Sequence, residues 1–211
     1  MGLWVELISS TPKPEELIER AARSCYASEC RGEEVRGKFL RGLAKSGHES
    51  PMEHASATFL IRGSRAFTHQ LVRHRLASYS QKSQRYVKEE NFPWVLPPSV
   101  QKNSEAYKVF TTAMHDTRIA YNQLIDLGIP KEDARYVLPN ACETEIVMTA
   151  NFREWRHFIN LRADSHAQWE IREVAEMVLK QLYQLSPSIF EDLARKFFGD
   201  DYVDPKGAVE Q

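Results

Sequence analysis

The chain lacks the glycine patterns with which many proteins bind nucleotides. Its nine glycines form no G-x-G-x-x-G. The G-x4-G-K string at Gly32, Gly37 and Lys38 continues with Phe39, where a P-loop needs Ser or Thr to meet the metal. A nucleotide or dinucleotide would therefore be held by side chains rather than by a glycine-rich loop.

Cysteine pairs and long apolar runs are absent too. The three cysteines, Cys25, Cys30 and Cys142, are an odd number without a C-x-x-C pair, which indicates reduced thiols in a cytosol. No apolar run approaches the roughly 20 residues of a membrane span. The start, Met1-Gly2-Leu3-Trp4, has no basic signal-peptide region. We expect a cytoplasmic protein without a membrane partner.

An excess of either charge is missing as well. The 28 basic and 29 acidic residues leave a net charge of −1, so generic nucleic-acid binding is not expected and any anion site must be local. With 211 residues and 42% apolar content, the chain can bury one substantial core. We expect a single domain over 1–198 and a polar tail over 199–211.

Apolar periodicity and turn residues predict alternating strands and helices. Strands are expected over 3–8, 54–61 and 145–150. Helices are expected over 14–25, 35–46, 64–72, 104–127 and 130–138, and over most of 153–198. Gly47 should end the second of these helices, and 91–99 should be a loop because it holds three prolines.

The segment 73–86 concentrates the chemistry of an anion site. It holds three arginines, a lysine, a histidine and three serines, and guanidinium forks match phosphate oxygens. The preceding helix, capped by Ser64, would place Gln70, Arg73 and His74 on its last turn, and 78–83 reads as a loop. A solvated basic face is the alternative.

The histidines around residue 50 do not have the spacing of a metal site. His48 and His54 flank Glu49 and Glu53, but Pro51 lies between them and the two imidazoles are not one helical turn apart. We therefore expect no metal.

No residue has the setting of a covalent nucleophile. Ser83 lacks a G-x-S-x-G elbow, and nothing in the sequence places His74 against its hydroxyl. Cys142 has no flanking histidine, so a buried core thiol is the favoured interpretation. Ser83 is better interpreted as a ligand of a substrate phosphate.

Several segments together resemble one enzyme family. Arg73-His74-Arg75, seven further residues and Ser83 resemble the R-H-R-x7-S signature of the flavin-dependent thymidylate synthases (ThyX). Three further segments are similar to family blocks and follow the same order along the chain: 48–54 to H-E-S-P-x-E-H, 134–139 to A-R-x-V-L-P, and 160–171 to N-L-R-x-D-S-H-A-Q-W-E-I.

The resemblance implies a fold and a reaction. The fold would be the α+β ThyX type, a single domain with a mixed sheet packed by long helices. The reaction would convert dUMP to dTMP, with methylenetetrahydrofolate as carbon donor, NADPH as reductant and FAD as the hydride carrier. ThyX enzymes are homotetramers whose active sites are shared between subunits, and we expect the same here.

The resemblance also implies roles for individual residues. Arg162 would be catalytic, because a fixed cation beside the uracil ring stabilises its anionic form and activates C5. The residues implied to bind dUMP are Gln70, Leu71, Val72, Arg73, Gln81, Lys82, Ser83, Gln84, Arg85, Arg135 and Arg162. Those implied to bind FAD are Ser50, Arg73, His74, Arg75, Gln81, Asn151, Phe152, Arg153 and His157. His48 would lie near the folate.

Two of these positions vary within the family. Position 157 is Asn in some members, so the charge state of His157 is an open variable. Position 81 is Glu in some members, and Gln81 removes that negative charge.

Two other functions remain open at this point. One is an RNA-binding module that uses the Arg- and Tyr-rich segment 73–86 as a basic stacking surface. The other is a flavoprotein of the same fold without folate chemistry.

Overall fold

A computed structural model of the chain describes residues 2–25, 27–30 and 32–204. Part of the expected polar tail, 205–211, lies outside these residues. Within them, no helix combines the length and apolar character needed to cross a membrane.

The strands form one four-stranded sheet in the order β1-β2-β4-β3. Their bounds are β1 Trp4–Ser10, β2 Ser56–Ser64, β3 Ala77–Gln81 and β4 Glu143–Asn151. The expected α+β class is confirmed, and the sheet is antiparallel where a mixed one was expected. The pair formed by β2 and β4 illustrates the antiparallel direction. Thr58 contacts Thr149 and Arg62 contacts Glu145, so residue numbers rise along one strand as they fall along the other.

Helices account for most of the remaining chain. They are α1 Pro14–Ser24, α2 Glu33–Ser46, α3 Arg65–Leu71, α4 Pro98–Gln101, α5 Ser104–Asp126, α6 Lys131–Ala134, α7 Phe152–Arg162, α8 Trp169–Leu185, α9 Pro187–Phe198 and α10 Asp200–Val203, with 3₁₀ turns at Ser50–His54 and Arg135–Val137. Gly47 ends α2 with a left-handed φ of 74°, and the Ser64 Oγ accepts from the Phe67 N–H at the start of α3. Both expected boundaries are confirmed.

The segment after α3 differs from expectation in two ways. Helix α3 ends at Leu71, so placing Arg73 and His74 on its last turn was wrong: the Leu71 carbonyl accepts from the Tyr79 hydroxyl instead of continuing the helix. The expected loop over 78–83 was also wrong for its first part, because 77–81 forms β3. Its residues alternate between half-buried and exposed, as in a strand with one covered face. Because the segment is mostly polar, its sequence does not show this alternation.

Residue contacts divide the chain into two compact units. The first unit comprises Met1–Trp4, Ile61–Arg73 and Tyr79–Val147, and the second comprises Val5–Leu60, His74–Ser78 and Met148–Gln211. The single domain expected over 1–198 stays a prediction.

The core of the first unit forms around α5. Tyr121, Phe67 and Cys142 are fully buried, and the Tyr121 hydroxyl accepts from the Glu89 N–H at 3.1 Å. The Arg118 guanidinium donates to the Phe92 carbonyl at 2.8 Å. These contacts tie the proline-containing segment after residue 88 to α5.

The core of the second unit is aromatic. Trp155 packs edge-on against Phe59 and Phe158, and its indole N–H donates to the Ala57 carbonyl at 3.0 Å. Phe152 packs against Phe190, which links α7 to α9. Buried Trp and Phe side chains of this kind supply much of a core's stability, and here they fix the position of α7.

A buried carboxylate also stabilises the second unit. Glu19 is fully buried on α1 and accepts from the Nε atoms of Arg23 at 2.7 Å and Arg36 at 3.0 Å. Burial alone would raise the pKa of Glu19, but hydrogen bonds and charges from both arginines outweigh it, so the pKa lies below its usual value.

Replacing Glu19 with Gln should therefore destabilise the protein in a pH-dependent way. The loss at pH 7 should be about 2–4 kcal/mol, because two charged hydrogen bonds are lost in a buried site. A carboxylate with a lowered pKa stabilises the fold above its unfolded pKa and stops doing so as pH falls through the folded value. The difference from wild type in urea unfolding should therefore shrink between about pH 5 and pH 3.

Glu16→Gln is the matched control on the same helix. Its carboxylate is 46% exposed and lies 3.7 Å from Arg36, so the expected loss is below about 0.5 kcal/mol. Equal losses for the two variants, measured at one protein concentration, would contradict the assignment of the buried charge.

Candidate active site

Helix α7 presents one stripe of functional groups in the second unit. The Asn151 side-chain oxygen caps it by accepting from the Glu154 N–H at 2.8 Å. Glu154, Phe158 and Arg162 are spaced four residues apart and therefore lie on one face of the helix.

His74 packs against this stripe and contacts each of its members. Arg162 Nε donates to His74 Nε2 at 3.0 Å, the imidazole meets the Phe158 ring edge-on at 5.0 Å, and His74 Nδ1 lies 3.5 Å from the Glu154 carboxylate. His157 is also near, with 5.9 Å between the two imidazole centres. The structure thus brings His74, His157 and Arg162 together.

Burial shifts the pKa of both buried groups in this cluster towards the neutral form. Burial, then the charges of Arg162 and His157, lower the pKa of His74 to about 4. Burial raises the pKa of Glu154, with a smaller opposite effect from His157. His74 is therefore a neutral hydrogen-bonding group at physiological pH rather than a cation.

The same cluster has the composition of a metal site, since ligand atoms of His74, Glu154 and His157 all lie within 4.8 Å of one another. Hydrogen-bond polarity argues against that use. A metal-bound imidazole donates its second ring N–H to an acceptor, whereas His74 Nε2 faces a permanent donor, Arg162 Nε. A divalent cation would also be repelled by that guanidinium.

Two other arginines of α7 hold the segment around residue 50. Arg156 is buried and binds Glu49 at 2.7 Å and both carboxylate oxygens of Asp192. Arg153 binds Glu53 at 2.5 Å near the surface. These pairs fix the 3₁₀ turn at Ser50–His54.

The residues predicted to meet FAD or folate on this segment remain accessible. Ser50 and the preceding His48 are both exposed.

A cavity of about 630 Å³ opens beside α7 in the second unit. Its lining combines an amide, a guanidinium, an imidazole, three carboxylates and an apolar side chain: Asn151, Arg153, His157, Glu49, Glu53, Glu154 and Leu76. Of the predicted FAD ligands, Asn151, Arg153 and His157 are therefore brought together. Phe152 is not among them, because its ring is fully buried against Phe190 and only its backbone could meet a ligand.

In the first unit, several predicted dUMP ligands come together beside α6. The Arg85 guanidinium lies 3.4 Å from the Glu132 carboxylate, and Arg135 Nε donates to the Glu132 carbonyl at 3.0 Å. Ser83 Oγ accepts from the Arg85 N–H at 3.3 Å. Glu132 thus contacts both arginines, and Ser83 lies next to Arg85.

Arg65 is a further cation of the first unit that sequence reasoning missed. Burial, and then repulsion from the Arg135 charge, lower the pKa of Arg65. A bound anion would stabilise the charged form of Arg65 in this environment. The position of Arg65 directly after the Ser64 helix cap was the available signal.

Other predicted dUMP ligands already have partners in the first unit. Lys82 Nζ pairs with buried Glu89 at 2.8 Å, and the Lys82 N–H donates to the Glu145 carbonyl. The Gln81 amide donates to Thr68 and Thr144. Leu71 is fully buried.

The remaining predicted residues differ in accessibility. Val72 and Arg73 in the first unit and Arg75 in the second are exposed, Gln70 is half-buried, and Gln84 is buried. The ligand roles of all these residues stay predictions.

Sequence reasoning also missed Glu154, whose only signal was its spacing of eight residues from Arg162.

Cys142 has the properties of a core residue. It is fully buried in the first unit, and burial, followed by the Glu89 charge, raises the pKa of its thiol to about 12. A thiol that stays protonated is a poor nucleophile, which agrees with the interpretation from sequence.

Comparisons with known proteins agree with this arrangement. Residues 6–188 match the family model Thy1, described as thymidylate synthase complementing protein. The flavin-dependent thymidylate synthase of Geobacter sulfurreducens is 48% identical over 199 residues, covering 89% of this chain and 85% of the relative. The enzyme of the same name from Clostridium tetani is 40% identical over 236 residues, covering 99% and 93%.

A solved structure gives the same result at the level of the fold. The UMP/dUMP methylase PolB from Streptomyces cacaoi, bound with 5-Br dUMP, superposes with a TM-score of 0.80 at 27% identity. The match covers 90% of this chain and 93% of that chain. With a family model matching residues 6–188 and relatives matching over most of their length, this chain belongs to the flavin-dependent thymidylate synthase family.

Proposed function

We propose that this protein converts dUMP to dTMP, with methylenetetrahydrofolate as carbon donor and NADPH as reductant through FAD. The observation that carries the proposal is the 40–48% identity to flavin-dependent thymidylate synthases over most of the chain. In the reaction C5 of uracil gains the methylene carbon and loses its proton, one hydride completes the methyl group, and tetrahydrofolate leaves.

The first unit supplies groups suited to the nucleotide's phosphate. Ser83, Arg85 and Arg135 gather beside α6, and Arg65 adds a cation destabilised by burial and by the Arg135 charge. A phosphate dianion would relieve that repulsion and accept hydrogen bonds from the hydroxyl and the guanidinium forks. These contacts would hold the substrate without any covalent bond to the enzyme.

Arg162 would activate the pyrimidine. A guanidinium beside N3 and its carbonyl stabilises negative charge on the ring and so raises electron density at C5. The described part of the chain offers Arg162 no carboxylate within ion-pair distance, and its hydrogen-bond partner is an imidazole that is neutral at physiological pH. Its charge would therefore act on the substrate undiminished by a counter-ion.

The second unit has groups that suit a flavin. The cavity beside α7 offers donors from Asn151, Arg153 and His157 and an apolar wall from Leu76, which is 77% exposed. Glu49 and Glu53 in its lining are paired with arginines, so they repel a pyrophosphate less. When bound there, FAD would supply hydride transfer between NADPH and the substrate carbon.

A homotetramer with shared sites is part of the proposal. Large apolar side chains are exposed in each unit, including Tyr86 and Tyr136 in the first and Leu76 in the second. These side chains are accessible for contact with another subunit.

Two measurements test the proposal as a whole. Purified protein should be yellow, with a flavin spectrum that bleaches with NADPH and changes when dUMP is added. Tritium should be released from 5-³H-dUMP only when methylenetetrahydrofolate is present. A colourless protein would support the RNA-binding alternative, and a yellow protein that releases no tritium would support a flavoprotein without folate chemistry.

Replacing Arg162 with Ala should stop methylation. We expect dTMP formation to fall at least ~100-fold, because the cation that stabilises the activated ring is lost, while NADPH still reduces the flavin at a similar rate. Arg20→Ala, an exposed arginine on α1, is the control and should keep wild-type activity. Normal dTMP formation by the Arg162 variant would remove this residue from catalysis.

Replacing Ser83 with Ala should weaken dUMP binding more than it slows the reaction. Loss of one hydrogen bond to a charged group costs about 1.5–3 kcal/mol, or ~10- to 100-fold in affinity. Titration of the flavin spectrum with dUMP measures this, with exposed Ser80→Ala as the control. A complete loss of turnover at saturating dUMP would instead indicate that Ser83 is a nucleophile.

A further inference from the structure

We infer that His74 is a positioning residue for Arg162: its unprotonated Nε2 accepts the Arg162 Nε–H and holds the guanidinium in place without neutralising it. The inference rests on the proposed function of Arg162. It assigns to His74 a role distinct from the flavin contact that its motif implies.

The geometry defines the tautomer of His74. An arginine Nε in a protein is always a donor, so the ring nitrogen 3.0 Å away must present a lone pair. The single proton of the neutral ring is then on Nδ1, on the side of the Glu154 carboxylate, 3.5 Å away. That spacing is longer than an ordinary hydrogen bond, so Glu154 contributes an electrostatic preference for this tautomer.

The surroundings of His74 keep this arrangement intact. The side chain is 3% exposed and packs against Phe158, so water does not compete for Nε2. Ionisable groups that face it include Arg162, His157 and Glu154, all on α7. The two basic groups disfavour protonation of His74, and protonation would replace the acceptor at Nε2 with a donor.

A neutral partner matters because a carboxylate would hold Arg162 equally well but cancel its charge. Two other arginines of α7 show that contrast. Arg153 pairs with Glu53, and Arg156 pairs with Glu49 and Asp192, so a carboxylate neutralises each of these charges. His74 fixes the orientation of the Arg162 guanidinium without neutralising it, so the electric field of Arg162 can still act on a substrate.

Three replacements of His74 separate these effects. In His74→Gln, the side-chain oxygen can reach the position of Nε2 as a neutral acceptor. In His74→Asn, the shorter amide ends near the position of Nδ1 and does not reach Arg162. His74→Glu has the size of the Gln variant but brings a negative charge. Circular dichroism and bound flavin per protein are measured for each variant.

We expect the Gln variant to form dTMP within about 5-fold of wild type and the Asn variant to lose ~10- to 100-fold in kcat, since a displaced catalytic group costs rates of that order. The KM for dUMP should change by less than about 3-fold, because the proposed phosphate contacts are left intact and the lost interaction acts on the transition state. The Glu variant, if folded, should be slower than Gln. Equal rates for Gln and Asn, or loss of flavin from all variants in proportion to activity, would overturn the inference.

Nitrogen NMR of the wild-type protein tests the geometry independently of activity. With ¹⁵N-labelled histidine, the signals of His74 among the seven histidines are identified by their absence in the Gln variant. From pH 6 to pH 8, Nε2 should have the shift of an unprotonated nitrogen and Nδ1 that of a protonated one. A proton on Nε2 at pH 7 would contradict the inference. If the NMR result holds but wild type makes no dTMP, the proposed function fails while the hydrogen bond stands.

Discussion

A guanidinium can polarise a substrate only while it is held in one orientation and keeps its charge, and the hydrogen bond from Arg162 to His74 meets both conditions. Orientation comes from the fixed imidazole, which is buried against Phe158. Charge is kept because the acceptor is a neutral nitrogen in a ring that resists protonation. The electrostatic part of the proposed mechanism depends on this contact, since a mobile or neutralised arginine would stabilise the anionic ring far less.

Helix α7 can carry this group because the rest of the helix is anchored independently. Trp155 and Phe152 face the aromatic core, and Arg156 binds Glu49 and Asp192. The helix therefore needs nothing from Arg162 for its position. The role of an arginine on this helix thus depends on its partner. Arg156 pairs with carboxylates and anchors the helix, whereas Arg162 binds a neutral imidazole and keeps its charge.

Much of the secondary structure was predictable from sequence because its signals are local. Helix α5 was expected over 104–127 and occupies Ser104–Asp126, and the expected Ser64 cap is present. The end of α3 was not predictable, because it depends on the Tyr79 hydroxyl binding the Leu71 carbonyl. For the site, family motifs pointed to His74 and Arg162 separately. Their hydrogen bond joins residues 88 positions apart in the sequence, so no local sequence pattern predicts it.

The candidate phosphate-binding residues of the first unit include positive charge that opposes folding. The pKa of Arg65 is lowered by burial and by the Arg135 charge. The lowered pKa means that the proton is held less favourably than in water, so folding without ligand is opposed at this residue. Paired buried charges such as Glu19 with Arg23 and Arg36 stabilise the fold elsewhere. An anionic nucleotide would reverse the penalty at the site, and binding affinity and specificity for anions would then come from the same unneutralised cations that weaken the free protein.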